Sequence, residues 1–128
     1  MSTYRDIITL VDSYRPNTLE GQLKAWWLVS LDGKIATEVM LIDANDVRSF
    51  MDCEFPEVLD YEPLVQFPHE ELYLHYLEAK ILYALEEYNS YQNAMESFNA
   101  AYKSYVNWLL NTYDPIQHLP KRGGSHER

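Results

Sequence analysis

The sequence predicts an all-α protein: a small helical bundle with two long C-terminal helices, an acidic connecting segment and a flexible C-terminal arm. Three observations carry that expectation. Apolar and aromatic residues recur at alternating three- and four-residue steps through Leu74, Leu77, Ile81, Ala84, Tyr88, Tyr91, Met95, Phe98, Tyr102, Tyr105 and Leu109, the spacing of a helix that buries one stripe. Capping signatures precede two earlier periodic stretches. With 128 residues, 47% of them hydrophobic, the chain can bury one modest core, which argues for a single helical domain over residues 1–115.

The first helix is expected from about Thr3 to Tyr14, with Thr3 as N-cap, Asp6 three residues on, and Tyr4, Ile7, Val11 and Tyr14 sharing a face. Arg15 and Pro16 end it. Asn17 can cap a second helix with Glu20 at the third position, and Leu23, Trp27, Leu31, Ile35 and Val39 carry the pattern to about Leu41. Gly33 falls inside this helix. An interior glycine costs about 1 kcal/mol relative to alanine, so it points to a close backbone approach or a local bend.

From Ile42 to Phe67 the period fades, and seven acids face the single base Arg48. The apolar residues of this stretch are too many for a disordered linker, so it should lie against the helices, with a short helix near 44–52 and a short extended piece at Leu64 and Val65. Pro68 at a first helical position, followed by Glu70 and Glu71, opens the third long helix. The stripe from Leu74 to Leu109 exceeds the roughly 8–20 residues of an ordinary globular helix. Two helices, about 68–88 and 90–112, fit best, and one kinked helix is the alternative because no glycine or proline forces a turn. Pro115 ends the last helix, and residues 116–128 read as a polar arm.

The charge of −10 is uneven: residues 1–115 hold seven bases and nineteen acids, whereas 116–128 hold three bases and one acid. An acidic body repels nucleic-acid backbones and anionic membranes, so neither is expected as a partner. The N-terminus has no signal-peptide pattern and no window approaches 18 apolar residues, which suits a protein acting inside a cell or in a particle assembled there. Cys53, the lone cysteine, sits between Asp52 and Glu54 and reads as an incidental small residue.

Catalytic and metal chemistry find little support. His69 and His75 are six apart, on different helix faces, instead of the four-residue spacing of a zinc helix. Glu71 and His75 could meet, with Glu78 one turn on, but a solvated helix face is the commoner outcome for such pairs and is the reading expected here. The sequence contains no Glu-x-x-His for a di-iron bundle and no calcium loop at Asp43–Asp46, and no nucleophile elbow is recognisable. No cofactor, metal or catalytic site is expected.

Eight of the eleven tyrosines lie between 73 and 113, in the last two helices or directly at their end. They cannot share one face, which makes a second aromatic face an expectation and marks Tyr73, Tyr76, Tyr83, Tyr91 and Tyr102 as protein-interface candidates. Of the neighbours Trp26 and Trp27, pointing about 100° apart on a helix, one should lie at a rim or interface, and Trp26 joins the candidates. Lys121 and Arg122 of the basic arm complete the set.

Three blocks, KAWWLVSLDGKI at 24–35, QFPHEELYLHYLEAKI at 66–81 and EEYNSYQNAMESFNAAYKSYVNWL at 86–109, resemble a family of small head-tail connector or head-completion proteins of tailed bacteriophages and prophages, mainly of Gram-positive hosts. Its most specific part is Tyr88-Asn89 followed by Phe98-Asn99-x-Ala101-Tyr102, with Leu31-Asp32-Gly33-Lys34-Ile35 in support. The likeness spans roughly 18–115, and the tail departs from it. It implies a non-enzymatic virion protein at the head-tail junction, self-associating into a ring between portal and tail proteins, with DNA only as passing cargo. An amide beside an aromatic stripe can specify register, so Asn89 and Asn99 are expected to fix polar contacts in or between the long helices. The rival expectation is an acidic helical protein that binds or inhibits a basic DNA-binding regulator. A ferritin-like metal bundle is a weaker third.

Overall fold

The computed structural model describes residues 2–112. Among them are five α-helices and no strand: α1 (Tyr4–Tyr14), α2 (Gly21–Lys34), α3 (Ala44–Met51), α4 (Glu71–Ala84) and α5 (Tyr88–Thr112). A π-helical turn, Ile35–Val39, follows α2, and a 3-10 turn, Glu57–Asp60, follows α3. The expected all-α bundle is the observed fold. Pro115, Tyr113 and the arm at 116–128 lie outside the described residues.

α1 starts as its capping box dictates. The Asp6 amide donates to Thr3 Oγ1 at 3.2 Å and the Thr3 amide donates to Asp6 Oδ2 at 3.0 Å. Tyr4, Ile7, Ile8 and Val11 are buried along one face. The second helix begins later than its sequence suggests. Asn17 Oδ1 accepts from the Leu19 amide at 3.0 Å and from Lys24 Nζ at 3.2 Å, so Asn17 organises the turn while Glu20 occupies the N-cap without a side-chain bond.

The regular part of α2 ends at Lys34 because the next turn widens: the amides of Met40 and Ile42 reach back to Ile35 and Ala36. Leu41, with φ of 58°, then turns the chain into α3 in the left-handed region. Gly33 does allow a close approach, but of a side chain. A Cβ on it would sit 2.1 Å from Met51 Sδ, so α3 lies against α2 through the missing methyl.

Pro68 occupies a turn ahead of α4, which starts three residues later at Glu71. Leu72, Tyr73, Leu77 and Ile81 of α4 are fully buried with Leu28 of α2, Ile35 of the π-helical turn, and Tyr4 and Val11 of α1. Each aliphatic side chain removed from water here contributes about 1.5–3 kcal/mol. α4 and α5 form an antiparallel hairpin, joined through Leu85, Glu86 and Glu87. The Glu86 amide donates to the Tyr83 carbonyl at 3.0 Å and the Glu87 amide to Leu82 at 2.9 Å, with Glu86 at φ 62°. That is a Schellman stop with glutamate where glycine is usual. It decides for two helices over one.

Candidate partner-binding surfaces

What aims the surface of α2 outward is a buried polar node on its inner face. Asp32 is fully buried and accepts from the Tyr4 hydroxyl of α1, the Tyr73 hydroxyl of α4 and, at 3.0 Å, the Leu64 amide. Tyr73 Oη in turn accepts the Val65 amide at 2.8 Å. The stretch expected to be an extended piece is therefore tied down by side chains, with its amides satisfied outside any strand. Burial, then the negative charge of Asp32, pushes the Tyr73 phenol well above its ordinary pKa of 10.0.

A second inward anchor is Lys24, only 3% exposed, whose Nζ donates to both Asp12 oxygens at 2.9 and 2.8 Å. Neither Lys24 nor Asp32 stood out in the sequence as a buried group. The available signal was a charge set among apolar neighbours, as in Trp-Trp-Leu-Val-Ser-Leu-Asp.

With α2 so held, Trp26 points away from the core. Six residues at about 100° each place it roughly 120° around the helix from Asp32. Trp26 is 64% exposed, whereas Trp27 packs on the core. Beside Trp26 runs an apolar cleft of about 180 Å³ lined by Gln22, Ala25, Val29, Met51, Cys53, Phe55 and Val58. Phe55 is itself exposed and lies over Gly21. Exposed Asp52, Glu54 and Glu57 belong to the same segment.

The tyrosine candidates separate. Tyr73 is fully buried, so the expectation that it faces a partner is corrected: its hydroxyl is needed inside, at Asp32. Tyr76 is half-buried against Phe98, with ring centroids 5.0 Å apart and Lys80 Nζ 5.4 Å from its ring. Tyr102 stacks on Phe98 at 5.4 Å, and burial followed by Glu38 raises its pKa. Tyr83 is exposed at the hairpin tip and meets Tyr88 at 5.4 Å and Tyr91 at 5.1 Å. At the opposite end His69 lies between Tyr105 and Trp108. Asn89 and Asn99 are exposed, away from the α4–α5 seam, so they set no register between those helices. Lys121 and Arg122 lie outside the described residues.

Among the described residues no group of three or more His, Cys, Asp or Glu side chains could hold a metal ion. Glu78 pairs with Arg15 at 2.8 Å. No helix of the described residues is long and apolar enough to cross a membrane. Comparison of the chain with protein-family models, curated proteins and solved structures found no match.

Proposed function

We propose that this chain is a non-enzymatic structural protein of a tailed bacteriophage or prophage, a head-tail connector that joins a ring between portal and tail. The observation that carries the reading is Trp26, largely exposed above an apolar cleft on a helix whose inner face is locked by Asp32 and Lys24. A rigidly mounted tryptophan beside a pocket is the usual form of a binding anchor. The resemblance in the 24–35, 66–81 and 86–109 blocks supplies the kind of partner. A ring is built head to tail from two different patches, and the Trp26–Phe55 cleft and the Tyr83–Tyr88 tip lie on different elements. Its acidic surface would let DNA pass without sticking, and Lys121 and Arg122 would dock on an acidic neighbour.

Deleting the gene from its phage or induced prophage is expected to leave separate heads and free tails by electron microscopy, with whole virions restored by a plasmid copy. A plasmid carrying Trp26→Ala should fail to restore them although the variant melts like the wild type. Normal virions from the deletion would overturn the reading. The exposed acids from Asp43 to Glu62 favour one alternative, capture of a basic DNA-binding regulator. That binding would weaken steeply with salt, whereas docking through Trp26 would not.

A further inference from the structure

The outward face of α5 carries no net charge although the chain as a whole is acidic. α5 contains one acid, Glu96, and one base, Lys103, so the whole net charge of −10 lies elsewhere. At about 100° per residue, Gln92, Glu96, Asn99, Ala100, Lys103 and Asn107 fall within roughly a third of the helix circumference. All six are exposed, diametrically opposite the buried Ala94, Phe98, Tyr105 and Leu109. Among the described residues Glu96 and Lys103 form no ion pair. They are seven apart, too far to meet each other along the helix.

We infer that this face pairs with the same face of a second copy, antiparallel, about a two-fold axis between Asn99 and Ala100. The two charges are equidistant from that point, so each Glu96 meets the partner copy's Lys103 and the contact closes on itself, as a two-fold interface must. The small side chain of Ala100 at the axis permits a close helix approach. Amides flank it, Gln92 opposite Asn107, and near the ends the exposed Leu110 reaches the start of the other α5 at Tyr88. Two bodies of charge −10 repel, and contact through a neutral strip adds least to that repulsion. The pairing is independent of what the Trp26 cleft binds.

Sedimentation equilibrium of the full chain tests this, with circular dichroism as the check on folding. At about 100 μM, a concentration suited to a small interface, the wild type should show twice its 15.1 kDa mass. Glu96→Lys and Lys103→Glu should each weaken the dimer about tenfold or more, and the double swap should restore it. Glu96→Lys also reduces the overall repulsion between copies, so weakening by it reports the local pair. Ala100→Arg, exposed in the monomer and at the axis in the dimer, should give a folded monomer. A monomeric wild type, single swaps without effect, or a folded double swap as weak as the singles would each overturn the inference.

Discussion

Tyr73 uses one hydroxyl twice, donating to Asp32 and accepting from the Val65 amide. Removing it leaves a buried N–H without a partner and a carboxyl short of a donor, so Tyr73→Phe should cost about 2–3 kcal/mol at neutral pH. Its titration gives a sharper test. The folded-state pKa lies well above the unfolded value of 10.0, through burial first and the Asp32 charge second. Between those two values the native state holds a proton that the unfolded chain has lost. The stability due to this group is therefore complete below pH 10 and falls as pH rises toward the folded pKa, by about 1.4 kcal/mol per pH unit. Denaturant titrations from pH 8 to about 11.5 should show that alkaline decline in the wild type and a shallower one in Tyr73→Phe. Tyr14, Tyr76 and Tyr102, raised for the same primary reason, contribute to the slope that remains. Equal slopes in the two proteins would contradict the assignment.

At the scale of elements, helices whose apolar face is continuous were legible in the sequence, because burial of one face is what the spacing records. α1 with its capping box and α3 behind Asp43 follow from local patterns. Three boundaries were not. Asn17 could cap a helix, but its oxygen is drawn to Lys24, a competition invisible in the local sequence. The π-turn at Ile35 keeps the same apolar letters while shifting Met40 into the core. The stop of α4 lacks the expected glycine, since Glu86 takes the left-handed position itself. A side chain there is disfavoured by roughly 1 kcal/mol, and Glu86 is exposed and loses no packing. Glu86→Gly should accordingly raise stability by about 1 kcal/mol, seen as a higher urea midpoint at unchanged slope. A lower midpoint would mean that the glutamate side chain has a role beyond the turn.

Over the whole molecule, the candidate surfaces were half legible. Adjacent tryptophans forced one outward, and Trp26 is the exposed one, but the choice among tyrosines needed tertiary structure because Tyr73 is spent on Asp32, far away in sequence. That distance has a consequence for how the protein is made. The Asp32 node draws on residues 4, 32, 64, 65 and 73, so a chain emerging from the ribosome carries its acid and first tyrosine long before the second. Until α4 is synthesised, Asp32 has no donor from that side, and Leu28 and Ile35 have no apolar cover from Leu72 and Leu77. Domains generally fold as units, and the Asp32 node of this one can close only once α4, Glu71–Ala84, has been translated. A fragment ending at residue 66 should show little helix and a poorly dispersed NMR spectrum, and adding a 67–112 peptide should restore both. A well-dispersed spectrum from the fragment alone would show that the nascent N-terminal half finds another way to shelter its buried acid.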